Sequence, residues 1–111
     1  MIIYRVQLYF LFFLIIFIIY KMNKYLVEFV GSLLFMFVII SVGNPLAIGA
    51  ALALCIIVGG KISGGNFNPA VSIMMVAAKK LPSSDLLPYI LAQVFGGLCA
   101  YEISKRLPLR L

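Results

Sequence analysis

Gly59-Gly60-Lys61-Ile62-Ser63-Gly64-Gly65-Asn66-Phe67-Asn68-Pro69 stands between two apolar runs, and how it is read decides the fold. Glycine and polar groups are too dense here for the preceding helix to continue, so the composition predicts a loop. The chain then turns apolar again in Pro69-Ala70-Val71-Ser72-Ile73-Met74-Met75-Val76-Ala77-Ala78, before Lys79-Lys80. Asn is a preferred N-cap, and Pro suits the first helical position, where its missing amide is no loss, so a helix is expected to start at Asn68. Taken alone, Asn-Pro also reads as a turn dipeptide ahead of an ordinary helix. Length argues for something less ordinary. At about 1.5 Å per residue this helix, counted through Lys80, reaches about 18 Å, whereas a bilayer core is roughly 30 Å thick. A half-length helix entered through a glycine-rich loop makes physical sense as a re-entrant element. Irregular backbone persists at membrane depth only where protein buries it or a watery cavity receives it, because lipid cannot satisfy its amides and carbonyls.

The flanking segments supply the membrane context. Apolar residues make up 65% of the 111 positions and charged residues 11%, against about a quarter charged in a globular average. A spanning helix needs about 20 apolar residues, so three or four fit. Residues 25–42 form one expected span, with Glu28 one turn in. An ionisable group there is costly in lipid and is expected to face the bundle interior. Gly43-Asn44-Pro45 makes a turn, and residues 46–58 form the next span, relieved by Gly49, Ala50, Ala51 and Ala53, small residues that let helices approach closely. Beyond the half-helix, residues 84–103 form a further span. It opens on Ser83-Ser84-Asp85 as a start signal, carries Pro88 in its first turn or so, and contains Gln93 and Gly96-Gly97.

Residues 1–20 are an Ile/Phe/Leu-rich run interrupted by Arg5 and Gln7. No small-residue cleavage site follows it, since Tyr20-Lys21-Met22-Asn23-Lys24 has the wrong chemistry for signal-peptide removal. The run reads either as an anchor helix or as upstream sequence before a true start at Met22. The expected organisation is thus a hydrophobic helix over residues 1–21, a membrane domain over 22–106 and a short tail over 107–111.

The formal charge of +6 comes from nine basic residues against three acids. Lys21, Lys24, Lys61, Lys79, Lys80, Lys105 and Arg106 sit at the edges of apolar runs, where basic side chains snorkel to headgroups. They mark membrane boundaries, and no nucleic-acid partner is expected. Cys55 and Cys99 lie inside spans without the spacing of a zinc site, and read as packing residues. With no histidine and scattered acids, neither a catalytic triad nor a metal centre has material to build on. Enzyme function, cofactors and bound metal are not expected.

Ile62-Ser63-Gly64-Gly65-Asn66-Phe67-Asn68-Pro69-Ala70-Val71-Ser72 resembles the first signature loop of the aquaporin, or major intrinsic protein, family. Glu28-Phe29-Val30-Gly31-Ser32 resembles that family's first-helix motif and Leu91-Ala92-Gln93-Val94-Phe95-Gly96-Gly97 its third helix, in matching order from about residue 25 to residue 104. The resemblance implies an all-α, multi-pass integral membrane protein. Its transmembrane helices and one re-entrant half-helix form half of the aquaporin inverted repeat, with an extra hydrophobic helix at the N-terminus. The implied function is passive transport of water or a small neutral solute such as glycerol.

Residue by residue, the resemblance makes Asn68, with Pro69 and Ala70, the pore motif, with Asn68 a lumen-facing amide donor. It gives Gly64, Gly65 and Asn66 backbone carbonyls that accept from water, and sets Glu28 and Gln93 to support the loop. Phe35 and Ile48 become pore-wall or selectivity positions. Two positions depart from the family pattern. Position 66 is often His and is Asn here, which a carbonyl role tolerates. Position 48 is commonly aromatic in water-selective members and is Ile here, giving a less aromatic constriction. One signature loop is present where the family has two that meet at mid-membrane. Three accounts follow: two copies inserted in opposite orientations, a piece of a longer channel, or a non-transporting membrane interaction subunit. In the family orientation Lys21, Lys24, Lys61, Lys79 and Lys80 lie on one side and Arg5, Lys105, Arg106 and Arg110 on the other, a bias weak enough for dual insertion. Family members assemble as tetramers, so a homo-oligomer is implied.

Overall fold

Asparagine side chains start three of the five helices in the computed structural model, which describes residues 2–21, 23–107 and 109, with the backbone alone for residues 17–21. Helix α1 spans Ile2–Lys21, α2 Lys24–Ser41, α3 Pro45–Ser63, α4 Pro69–Ala77 and α5 Leu86–Arg106, the last entered through a 3₁₀ turn at Ser83–Asp85. Asn23 accepts from the Leu26 amide at 2.9 Å, Asn44 from Leu46 at 2.9 Å and Ala47 at 3.1 Å, and Asn68 from Ala70 at 2.8 Å. Each cap satisfies amides that a helix start otherwise leaves orphaned. Pro45 and Pro69 follow two of these caps directly. Met1, Met22 and residues 108, 110 and 111 of the expected tail lie outside the described residues.

The molecule is an all-α membrane protein. α2, α3 and the Ser83–Arg106 segment are each long and apolar enough to cross a bilayer. They correspond to the spans expected over residues 25–42, 46–58 and 84–103. Among the described residues there is no strand.

One local expectation is corrected. Residues 59–63, expected in the loop, continue α3 for more than a turn. Glycine costs about 1 kcal/mol in a helix, yet α3 needs Gly59 where it meets α2, because a Cβ there would stand 2.7 Å from Val27 Cγ1. In lipid, helix is also the cheapest way to satisfy the backbone. The helix stops instead at Gly64, whose φ of 90° is left-handed and whose amide donates to the Gly60 carbonyl at 2.8 Å. The start expected at Ser83-Ser84-Asp85 is where the 3₁₀ turn lies and α5 follows, although Asp85 makes no capping bond to α5. Its carboxylate turns to α2, accepting from Lys24 Nζ at 2.6 Å and from the Tyr25 hydroxyl at 2.7 Å. An ammonium and a phenol held by one carboxylate are stronger donors to it than its own helix amides.

α2 lies between α3 and α5, and α4 packs on α5. The α2–α5 crossing rests on missing side chains. A Cβ at Gly96 would lie 2.7 Å from the Phe29 carbonyl oxygen and 3.1 Å from Ser32 Cβ, and one at Gly97 would lie 2.6 Å from Met36 Sδ. Close approach of this kind is how helices associate where burial from water gives no drive. The interior is polar, with Glu28, Ser32, Ser63, Asn66, Ser72, Asp85 and Gln93 buried, while leucines such as Leu46 and Leu54 face outward. A soluble protein distributes these residues the other way.

Candidate functional site

The segment between α3 and α5 leaves and returns at the same end of the bundle. Ser63, closing α3, donates to Glu28 one turn into α2 and accepts through its carbonyl from Tyr89, one turn into α5. Asp85 then joins the start of α5 to the start of α2. Residues 64–82 are therefore re-entrant. Ser72, in the second turn of α4, takes a bond from Gln93, which stands about 10 Å along α5. Asn68 is one turn beyond Ser72, about 6 Å further. The sum brings Asn68 to about half of a roughly 30 Å core.

A buried network holds the loop from one side. Glu28 is fully buried, and its carboxylate accepts four bonds. Oε1 takes the Phe67 amide at 2.8 Å and Gln93 Nε2 at 2.7 Å; Oε2 takes the Ser63 hydroxyl at 2.7 Å and the Asn66 amide at 3.2 Å. Gln93 spends its second proton on Ser72 Oγ at 2.8 Å, and the same hydroxyl accepts from Asn66 Nδ2 at 2.9 Å. The Gly65 amide donates to Ser63 Oγ at 3.1 Å, and Tyr89 donates to the Ser63 carbonyl at 2.6 Å. One carboxylate thus gathers α2, α3, α5 and the loop, which is a use that justifies its burial in lipid.

Backbone shape lets the loop present its amides to this network. Gly64 and Gly65 have φ of 90° and 68°, left-handed values that glycine adopts without a steric penalty. Phe67 adopts φ of 53° as well, at a cost of about 1–2 kcal/mol for a residue with a Cβ. Its ring, 1% exposed, is seated between α2 and α3 where a side chain at Gly31 would come within 2.1 Å of it. Burial of an aromatic ring and the bond to Glu28 offset the strain.

With the amides turned inward, the carbonyl oxygens of Gly64, Gly65 and Asn66 accept no hydrogen bond among the described residues. Asn68 is exposed. Its Oδ1 is occupied by the Ala70 amide, which fixes the side chain, and Nδ2 makes no hydrogen bond among the described residues. Pro69 is half-buried and Ala70 exposed beside it. Phe35 is half-buried on α2, two turns beyond Glu28. Ile48 is half-buried in the first turn of α3, about 22 Å along that helix from Ser63. The structure does not bring Ile48 to the loop.

Several members of the network carried no separate signal in the sequence. Ser63, Ser72 and Tyr89 were single polar groups at the ends or inside of apolar runs, and Phe67 was one aromatic in a glycine-rich stretch. Such residues are legible as candidates only once their partners, 21 to 39 residues away, are known. The groups of His, Cys, Asp and Glu that a metal would need do not occur among the described residues.

Residues 17–109 match the family described as Major intrinsic protein. Glycerol uptake facilitator protein-like 6 of Lactiplantibacillus plantarum is 42% identical over 93 residues, covering 76% of this chain and 43% of that protein. Aquaporin-8 of Mus musculus is 43% identical over 91 residues, covering 72% and 35%, and Aquaporin Z of Brucella melitensis is 50% identical over 62 residues, covering 55% and 27%. No solved structure matches. The chain spans less than half the length of the curated relatives it matches.

Proposed function

The chain belongs to the major intrinsic protein family, and from that premise we propose that it forms one half of a channel for passive passage of water or small neutral solutes. The observation that carries this reading is the division of the loop into two sides. Its amides are consumed by Glu28 and Ser63, while the carbonyls at 64, 65 and 66 and the Asn68 Nδ2 remain open. A file of acceptors that ends on a donor suits a neutral molecule able to do both, and so to exchange its bonds with water one at a time. The start of α4 adds the positive end of a helix dipole, which opposes cations.

In this reading Asn68, Pro69 and Ala70 form the pore motif, Gly64, Gly65 and Asn66 the acceptors, and Glu28 and Gln93 the support behind them. Phe35 lines the wall near the loop, and Ile48 contributes to a constriction further along the path. The half-channel lies within residues 22–106, and residues 1–21 add a hydrophobic helix. A second re-entrant half faces Asn68, supplied by another copy or by further chain, and the complete unit is a homo-oligomer. Water is the first solute expected. Glycerol is the second, because an aliphatic Ile48 leaves a wider and less polarised constriction than an aromatic does. One relative is named for glycerol uptake and others are named aquaporins.

Osmotic swelling of liposomes containing the purified chain tests the proposal. Wild type is expected to raise water permeability, and Asn68→Asp to return it to the lipid baseline, since a carboxylate replaces the donor with an acceptor. Wild-type liposomes that swell no faster than empty ones would instead favour a non-transporting membrane interaction subunit.

A further inference from the structure

Among the described residues, no acid pairs with the charge carried by the turn from α4 to α5. α4 closes in a full Schellman turn: Lys79 donates its amide to the Val76 carbonyl at 3.0 Å, and Lys80 donates to Met75 at 2.8 Å. This geometry requires a left-handed residue at position 79. Glycine is the usual occupant, yet lysine stands there with φ of 59°. Amides satisfy the carbonyls of Met74, Met75 and Val76, so the turn closes without a bond from a lysine side chain.

The surroundings give that side chain no partner either. Lys79 and Lys80 are exposed, and among the described residues neither makes an ion pair. Asp85, the acid at this end, is held by Lys24 and Tyr25. The opposite end differs, because Glu102 there engages both Lys105 at 3.1 Å and Arg106 at 2.9 Å. Between Val76, Lys79, Lys80, Leu81, Pro82 and Ser83 lies a hollow of about 400 Å³. Two lysines and a serine are among its lining residues, with Val76, Leu81 and Pro82 as the apolar ones. The hollow follows the C-terminal end of the half-helix α4, at the end of the bundle where Asp85 ties the starts of α2 and α5.

We propose that this hollow is a binding site for a phosphate group, and specifically for the headgroup of an anionic phospholipid in the leaflet at this end. Lys79 and Lys80 supply the charge, Ser83 a hydroxyl donor, and Val76 with Leu81 a surface for the first methylenes of the acyl chain. Basic pockets beside membrane helices recognise lipid phosphates in this way. The proposal depends on the membrane fold alone and is independent of whether the chain conducts.

The full chain, purified and incubated with labelled phosphatidylglycerol or labelled phosphatidylcholine, is washed and its retained lipid measured. Wild type should retain the anionic lipid in excess. Lys79→Gly and Lys80→Gln should each reduce that excess by about fivefold, and the double variant should abolish it, while Lys105→Gln leaves it intact. Lys79→Gly relaxes the backbone, so it should melt no lower than wild type, which separates lost binding from lost folding. Retention that survives millimolar inorganic phosphate identifies the lipid as the source. Displacement by inorganic phosphate assigns the site to the free anion and overturns the lipid assignment. Equal retention of the two lipids by wild type, or an anionic preference unchanged in the double variant, overturns the proposal.

Discussion

Glu28 is the residue on which the loop depends. Both its oxygens are saturated by donors from three separate parts of the chain. Glu28→Gln would preserve volume and turn one of those oxygens into an amide nitrogen, setting donor against donor. A buried polar group left unpaired costs about 1–3 kcal/mol, and here two partners lose their acceptor together. The variant is expected to lose about 3 kcal/mol of stability in detergent, read by thermal or denaturant unfolding. It should also expose the loop amides to faster hydrogen exchange than in wild type, with the amides of Asn66 and Phe67 leading. Part of this was legible beforehand, since an acid one turn into an apolar helix has to face something polar. What it faces was not legible from composition, because the Phe67 amide is 39 residues away. Asp85 shows the same boundary from the other side. As a local signal it reads as a helix cap, and only the position of Lys24, 61 residues earlier, turns it into a tie between α2 and α5.

At the scale of elements, helix starts were easier to read than helix ends. Asn44-Pro45 and Asn68-Pro69 carry their capping chemistry in adjacent residues, and both helices begin there. Composition ends α3 too early because glycine reads as a breaker. At Gly59 it serves contact with Val27 instead, and the chain turns at Gly64, where φ becomes positive. The end of α4 turns on Lys79, a residue whose type gives no warning of a left-handed backbone. The α2–α5 crossing yields a graded prediction. At Gly96 an added methyl meets the Phe29 carbonyl, which is backbone and cannot step aside, whereas at Gly97 it meets the flexible end of Met36. Gly96→Ala is therefore expected to destabilise by about 1–3 kcal/mol, the usual range for overpacking, and Gly97→Ala by clearly less. Comparing the two unfolding midpoints in one detergent checks the order, and equal midpoints would remove backbone contact as the explanation of the crossing.

Over the whole molecule, the fold inverts the usual arrangement: apolar side chains cover the surface and a polar network fills the middle. Composition alone pointed to this, and the short α4 between two spanning helices pointed to a re-entrant loop. The proposed path adds a stricter condition, because residues at the start of α4 must meet water although they lie at the depth of the acyl chains. Ala70, exposed beside Asn68 and not needed as a cap, allows a direct measurement of that condition. With Cys55 and Cys99, both free thiols, replaced by alanine, Ala70→Cys is compared with Leu91→Cys, an outward position on α5. Each is treated in liposomes with a charged, water-soluble thiosulfonate. Rapid labelling at position 70 and slow labelling at position 91 is the result expected of a half-helix that opens onto an aqueous path, whereas position 70 reacting as slowly as position 91 would contradict it.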